Sequence, residues 1–290
     1  MKKKLTSHFI NGDKKINFVK KIIYIIFFSF EMIFEKKMTG YSFNEKNYNG
    51  FLNFYNYDEK KIQSKRPARL LSEFYIYEYL NKNYKKNDNL KVLDIGCGDG
   101  RFYEVLQKYF DNINYLGIDA RPYDKWNTLK SDKVSFKSIN LNKTDFNFLN
   151  DYKHFDLIFS QSALEHIKND LDVLKTLSQK YSSARNLHIA PSAMSFLNYL
   201  THGYRRYNYK DLNRLSKLIN KDVKITKLGG YSAIKAYFNY YYDFKVKIDK
   251  KRKHPFNFLM YQNVNFDENL IKKFIFDSKK SFPLFYSIEY

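Results

Sequence analysis

The sequence predicts an α/β fold in which helices cover both faces of a mostly parallel sheet. Short apolar runs alternate with helical segments from residue 66 onward, and a glycine-rich turn follows the first of these runs. No low-complexity linker or fixed-period repeat divides this part of the chain. A length of 290 residues allows one large domain or two small ones, and the unbroken pattern favours one large domain.

The individual elements follow in order along the chain. The first is a buried helix over 66–80, because Pro67 lies near its start and its apolar side chains occupy more than one face. Alternating strands and helices come next: strand 90–96, helix 100–110, strands 113–119, 133–141 and 154–160, helix 165–181, and strand 186–192. Two further strands are predicted at 223–230 and 282–290.

Residues 1–37 form a basic and apolar N-terminal extension. Its apolar block, residues 22–34, has 13 residues and contains Glu31, whereas a membrane-spanning helix needs about 20 apolar residues. No small-residue cleavage site of a signal peptide follows the block. Nine lysines oppose three acidic residues, an excess of six positive charges. Two interpretations remain: a helix that contacts an anionic membrane surface through residues 16–34, or a helix packed on the main domain. Residues 38–88 are interpreted as a helical lead-in that covers the substrate side.

Composition excludes several classes of site and partner. The formal charge is +21, but the lysines are spread along the whole chain among many Asn, Tyr, Phe and Ile residues, so we do not expect a nucleic-acid partner. The single cysteine, Cys97, excludes an intramolecular disulfide and a CxxC metal site, and we predict no metal cofactor. This usage fits a reducing setting, either in the cytoplasm or peripherally at the inner face of the membrane.

The glycine-rich turn VLDIGCGDGRF, residues 92–102, indicates the kind of ligand. A dinucleotide fingerprint G-x-G-x-x-G would require glycine where Arg101 stands. The carboxylate of Asp94, just before the turn, would repel a pyrophosphate and attract a cationic nucleoside. Twenty-five residues later the next strand ends in Asp119, whose carboxylate can accept both ribose hydroxyls.

Four landmarks occur in order between about residues 65 and 230: DIGCGDG, GID, FDLIFSQSALEHI and APS. With these landmarks the chain resembles the class I S-adenosylmethionine-dependent methyltransferases, in particular the group that acts on small molecules. The resemblance implies a Rossmann-like seven-stranded sheet, preceded here by the N-terminal helical extension. It also implies a last strand inserted antiparallel between the fifth and the sixth, and S-adenosylmethionine as the cofactor.

The resemblance further implies a set of cofactor-binding residues at the strand ends: Asp94, Gly96, Cys97, Gly98, Asp119, Ala120, Asn140, Leu141, Ser160 and Gln161.

Within this set, Asp94 and the first two glycines would shape the pocket for the methionine part, and Asp119 would hold the ribose. Asn140 stands where the family often has an acid that faces the adenine amino group. Ser160 and Gln161 would lie close to the sulfonium. Ordinary capping of a strand end is the alternative for Asn140 and Ser160.

A general base is predicted just beyond the fourth strand. In ALEHI, residues 163–167, His166 is the candidate because its ordinary pKa near 6.5 suits proton acceptance. The alternative is that Glu165 and His166 simply open a helix.

A loop above the pocket is predicted to bind the acceptor, and Asn208 with Asp211 predicts a helix start directly after it. Its arginines could grip phosphate or carboxylate groups, and a solvated basic turn is the alternative. The candidate substrate-binding residues of this loop are His202, Arg205, Arg206 and Tyr207.

The predicted methyltransferase domain spans 89–290 and includes an aromatic-rich insertion near 231–280. We expect a small-molecule acceptor bearing a hydroxyl or an amine, of which a surface-glycan sugar or its nucleotide- or lipid-linked precursor is the first choice. A quinone or other lipid, an RNA, and a non-catalytic S-adenosylmethionine-binding role are the alternatives.

Overall fold

The computed structural model describes residues 45–56, 67–143, 146–192, 209–230 and 283–290, together with residues 19, 207, 233 and 234. Apart from those single residues, the predicted N-terminal extension, residues 193–206 and the aromatic-rich insertion lie outside the described part of the chain.

Two helices precede the sheet: α1 (Glu45–Tyr55) and α2 (Pro67–Asn83). The strands are β1 (Asn89–Ile95), β2 (Asn112–Asp119), β3 (Val134–Ser138), β4 (Leu157–Gln161), β5 (Arg185–Pro191), β6 (Lys224–Leu228) and β7 (Phe285–Glu289). The later helices are α3 (Arg101–Tyr109), α4 (Trp126–Leu129), α5 (Asp170–Lys180) and α6 (Tyr209–Ile219). Single 3-10 turns occur at Asn147–Leu149 and Leu164–His166.

The strands form one seven-stranded sheet in the order β3-β2-β1-β4-β5-β7-β6. All neighbours are parallel except β7, which pairs antiparallel with both β5 and β6. This topology confirms the Rossmann-like fold and the antiparallel insertion of the last strand. The strand order reverses between β1 and β4, and in open α/β sheets ligands bind beyond the carboxyl ends of the strands at such a point.

Alternate residues of each strand pack on opposite faces of the sheet. On the first face, Val92 and Phe159 belong to a cluster that includes Phe74 of α2. On the second face, Leu93 and Ile158 pack in a cluster with side chains of α5 and α6. Most of α2 between residues 70 and 80 is buried, as its unpatterned apolar composition predicts.

The helix predicted over 165–181 is shorter in the structure. Residues 164–166 form a 3-10 turn, Ile167 has an extended backbone, and α5 begins only at Asp170. Leu164 and Ile167 are both buried in the cluster on the second face of the sheet. A tight turn that buries these two apolar side chains therefore takes the place of the first turn of the predicted helix. The strand predicted over 133–141 ends at Ser138, and the short helix α4 was not predicted.

Candidate active site

The glycine-rich turn lies at the carboxyl end of β1, against the neighbouring strand β2. The backbone N–H groups of Gly96 and Cys97 both donate to the carbonyl of Ile118, at 2.7 and 3.0 Å. Gly96 and Gly98 have positive φ angles of 70° and 55°, in a backbone region that residues other than glycine rarely adopt. A Cβ atom at Gly96 would lie 2.3 Å from that of Ala163, whereas a Cβ atom at Gly98 would meet nothing within 4 Å. Gly98 therefore faces open space that a ligand can enter.

Both backbone groups of Gly98 are held by side chains from the second strand and the segment after it. Its N–H donates to Oδ2 of Asp119 at 3.0 Å, and its carbonyl accepts from the indole Nε1 of Trp126 at 2.7 Å. The other carboxylate oxygen of Asp119 accepts from the N–H of Arg121 at 3.2 Å. These bonds fix the half-buried Asp119 carboxylate beside the turn. Ala120 follows it and is exposed.

Asp94 is buried beneath the turn, with 2 % of its surface exposed. Its Oδ2 accepts a hydrogen bond of 2.5 Å from the hydroxyl of Tyr115 on β2. Burial is the main reason that the pKa of Asp94 rises from 3.8 to about 7; the negative charge of Asp119 raises it further, and the bond from Tyr115 lowers it. Burial likewise raises the pKa of the Cys97 thiol, which keeps this cysteine in its neutral form.

The two residues at the end of β4 point in different directions. Ile95 pairs with Ser160 and Asp94 with Phe159, so the Ser160 side chain lies on the face opposite that of Asp94. There its Oγ is 2.8 Å from Nδ1 of His188, and both residues are fully buried. The Ser160 hydroxyl therefore points away from the face on which Asp94 lies, and the expectation that Ser160 lies close to the sulfonium stays a prediction.

Gln161 lies on the same face as Asp94 and reaches the helix that covers it. Its Nε2 donates to Oγ of Ser72, in α2, at 2.5 Å. In the same helix the buried Glu73 accepts a charge-assisted hydrogen bond from Arg101, the first residue of α3. The start of α2 is thus joined to both β4 and the glycine-rich turn.

The loop after β3 is tied to the turn that contains His166. Oδ1 of Asn140 accepts from the N–H of Asn142 at 3.0 Å, which is the local capping contact considered as the alternative for this residue. Asn142 in turn donates to the carbonyl of His166 at 3.2 Å and accepts from the N–H of Lys168 at 2.6 Å. Leu141 and His166 are half-buried. The structure therefore brings His166 close to the strand ends and braces its backbone.

Of the predicted substrate loop, His202, Arg205 and Arg206 lie outside the described residues. Tyr207 is fully buried, and its hydroxyl donates to a carboxylate oxygen of Asp170 at the start of α5. Its N–H also donates to the carbonyl of Pro191 at 3.0 Å. The structure thus places the Tyr207 ring in the core and not in an exposed loop, and a role of Tyr207 in acceptor binding stays a prediction.

Sequence reasoning missed several residues that shape the site: Ser72, Glu73, Tyr115 and Trp126. Trp126 was open to detection, since it is the single tryptophan of the chain and follows the GID landmark closely. The Glu73–Arg101 pair joins residues 28 positions apart, and nothing in the local pattern of either segment signals it.

The described residues also bear on metal and membrane binding. No group of three or more His, Cys, Asp or Glu residues within them could hold a metal ion. Helices long and apolar enough to cross a bilayer are likewise not found among the residues the structure describes.

The family model described as a methyltransferase domain matches residues 62–215, which include the glycine-rich turn, both acids and His166. The chain belongs to this methyltransferase domain family.

Two of the curated proteins that are similar to this chain are O-methyltransferases. The malonyl-[acyl-carrier protein] O-methyltransferase of Bacillus cereus is 22 % identical over 183 residues, covering 57 % of this chain and 65 % of the relative. A ubiquinone biosynthesis O-methyltransferase of Pelagibacter ubique is 31 % identical over 136 residues, covering 42 % and 50 %. The chain thus spans about half to two thirds of the length of these relatives.

Among solved structures, the plantazolicin methyltransferase BpumL in complex with SAH is 13 % identical to this methyltransferase-domain chain. The match has a TM-score of 0.47 and covers 84 % of this chain and 88 % of that one.

Proposed function

We propose that the protein transfers a methyl group from S-adenosylmethionine to a small-molecule acceptor. The observation that carries this proposal is the placement of Asp94 and Asp119, from neighbouring strands, on either side of a glycine turn that is open at Gly98. The turn lies at the switch point of the sheet, where this fold places its ligands. Membership of the methyltransferase domain family supports the same conclusion.

The residues present fit the chemistry of this cofactor. Gly98 leaves space for close approach of a ligand, and Asp94 offers a carboxyl group to a sulfonium or ammonium group. An ionised carboxylate has about four lone-pair positions, so Asp119 can accept ribose hydroxyls in addition to its bonds from Gly98 and Arg121. A glycine turn with two nearby acids suits a cationic nucleoside better than a pyrophosphate.

The cofactor, when bound, supplies a methyl group that is activated by its positively charged sulfur. Transfer to an acceptor oxygen or nitrogen would form the new bond to the methyl carbon as the carbon–sulfur bond breaks, with the electron pair of that bond left on the sulfur. The acceptor then carries a proton that must leave. We propose His166 as the base that takes it, because its turn follows β4 and is braced by Asn142.

The role of His166 is separable from cofactor binding. His166→Asn should lower turnover at least tenfold, in line with general-base catalysis worth about 10²–10⁴, while the S-adenosylmethionine affinity stays unchanged. Isothermal titration of the variant measures the affinity, and full turnover by the variant would exclude His166 as the base.

The names of the curated relatives favour oxygen over nitrogen as the acceptor atom, since they are O-methyltransferases. Several are ubiquinone biosynthesis enzymes, and a phenolic hydroxyl of a quinone precursor is therefore the second acceptor to test. The glycan sugar predicted from the sequence has no support among these relatives and stays a prediction, as do the contact of residues 16–34 with a membrane and the cytoplasmic location.

Methyl-labelled S-adenosylmethionine and fractionated cell extract test this proposal. The extract is separated into lipids and quinones, nucleotide sugars, glycans, RNA and protein, and each fraction is incubated with the wild-type protein or with Asp94→Asn. Label in one fraction that disappears with the variant would identify the acceptor class. Cofactor binding without label in any fraction would favour the non-catalytic alternative.

A further inference from the structure

Tyr115 is a buried polar residue that the proposed reaction does not yet use. It lies on β2, one strand away from Asp94, and its hydroxyl donates to the Asp94 carboxyl over 2.5 Å. Its side chain is 2 % exposed and its ring packs against Tyr103 and Phe136, with centroids 5.1 and 5.5 Å apart. This packing fixes the ring, so the hydroxyl has a defined direction towards Asp94.

The space around Tyr115 is set by the absence of a side chain at Gly117. A Cβ atom there would lie 2.9 Å from Cε1 of Tyr115, 2.9 Å from the Cys97 thiol and 2.7 Å from Phe136. Gly117 therefore lets the Tyr115 ring lie directly beneath the glycine turn. The GID landmark thus supplies room for the tyrosine as well as the acid Asp119.

We propose that Tyr115 is a positioning residue that holds the Asp94 carboxyl group for the cationic part of the cofactor, and that cofactor binding releases the proton of this pair. The inference rests on the proposed function and deepens it, because it concerns how the same site recognises charge. Without the Tyr115 hydroxyl, the Asp94 carboxyl would lose the hydrogen bond that ties it to β2. With the bond, Oδ2 has a fixed hydrogen-bond partner, and the carboxyl group is held in one orientation beside the turn.

The titratable groups that face Asp94 determine the sign of the pH effect. They are Tyr115 and Asp119 on β2 and Cys97 in the turn; the negative charge of Asp99, also in the turn, acts on Tyr115 and Cys97. Burial and the Asp119 charge raise the pKa of Asp94 to about 7, whereas burial and the Asp94 charge raise the pKa of Tyr115, which stays a neutral donor. Below a pH of about 7, Asp94 therefore holds a proton before the ligand binds, and a cationic ligand favours the loss of this proton.

The test compares three adenosine ligands by isothermal titration across a pH range. S-adenosylmethionine carries a sulfonium and an ammonium group, S-adenosylhomocysteine carries only the ammonium group, and methylthioadenosine carries neither. For the wild type, affinity for S-adenosylmethionine should fall by about tenfold per pH unit below the Asp94 pKa, with proton release visible as a dependence of the binding enthalpy on the buffer. Affinity for methylthioadenosine should stay constant.

Tyr115→Phe removes only the hydroxyl. In the wild type, the hydrogen bond from Tyr115 lowers the pKa of Asp94, so its removal should raise that pKa and move the midpoint of the pH profile upward. Affinity for S-adenosylmethionine at neutral pH should then fall by about tenfold. Tyr103→Phe is the matched control: it lies in the same aromatic cluster, but its hydroxyl contacts Gln107 instead of Asp94. Asp94→Asn should abolish the pH dependence and leave methylthioadenosine binding intact.

An unchanged midpoint in Tyr115→Phe, or an equal loss of affinity for methylthioadenosine, would overturn the inference while leaving the proposed function in place. If Tyr115→Phe does not fold, as judged by circular dichroism, a pH profile of Asp94→Asn that matches the wild type would overturn it instead. Failure of the wild type to bind any of the three ligands would overturn the proposed function as well.

Discussion

Two glycines of the same turn should respond differently to the same substitution. Gly96 and Gly98 both have positive φ, so alanine at either position carries a backbone cost of about 1–2 kcal/mol. The structure adds a second cost only at Gly96, where the new methyl group would lie 2.3 Å from Cβ of Ala163. Carbon atoms in ordinary contact are about 3.5–4.0 Å apart, so Ala163 would have to move by more than about 1 Å.

Ala163 is not free to move by that amount. It is buried, and it directly precedes the 3-10 turn Leu164–His166, whose Leu164 is fully buried. Overpacking of this kind costs a further 1–3 kcal/mol or so. We therefore expect Gly96→Ala to lower the free energy of unfolding by about 2–5 kcal/mol and Gly98→Ala by only about 1–2 kcal/mol.

Urea unfolding measures this difference, and isothermal titration with S-adenosylmethionine adds an independent readout. Gly98→Ala should remain folded yet lose at least tenfold in affinity, because its methyl group would occupy the open space that the ligand enters. Equal destabilisation by the two substitutions would refute the packing argument. Unchanged affinity in Gly98→Ala would refute the assignment of that space to the ligand.

Three further predictions concern the supports of the site. Burial lowers the pKa of His188 from 6.5 to about 3. The contribution of the neutral imidazole to the free energy of unfolding is therefore fully present above pH 6.5 and falls by about 1.4 kcal/mol per pH unit as the pH drops towards 3. In urea unfolding, His188→Asn should lose less stability on acidification than the wild type, and equal losses would contradict the assignment. Arg101→Met removes the guanidinium from the buried Glu73 and should lower the free energy of unfolding by about 1–3 kcal/mol. A smaller loss in the double variant with Glu73→Leu than in Arg101→Met alone would confirm that the charge left on Glu73 is the cause. Additive losses from the two substitutions would speak against it. Trp126→Phe removes the hydrogen bond to the Gly98 carbonyl and should cost about 1 kcal/mol, together with a several-fold weaker affinity for S-adenosylmethionine; wild-type affinity would show that the turn does not need this support.

The strands were predictable because each central strand is buried on both faces and appears in the sequence as an apolar run. β2, for example, was predicted as 113–119 and spans Asn112–Asp119. The end of β4 was harder to predict. A strand gives its side chains alternate directions, but the sequence does not show which face each direction reaches, so Ser160 and Gln161 were assigned to the same site although they point to opposite faces.

The predicted start of the helix after β4 and the predicted exposure of Tyr207 differ from the structure for a related reason. The pattern 165–181 was compatible with one helix, and only the burial of Leu164 and Ile167 against distant helices favours a 3-10 turn there. Tyr207 follows two arginines, which suggested an exposed loop, yet its ring fills the second cluster and its hydroxyl bonds to Asp170, 37 residues earlier. Local polarity did not reveal either long-range contact.

The sequence alone determined the α/β class, the order of the strands along the chain, the turn with its two acids, and the antiparallel last strand through the family resemblance. These features depend on local periodicity and on residues close together in the chain. The tertiary structure alone decided which supports surround the turn: Tyr115 against Asp94, Trp126 against Gly98, and Arg101 against Glu73. These contacts join residues from 21 to 28 positions apart, and they form only when the sheet and its covering helices bring distant strand ends together.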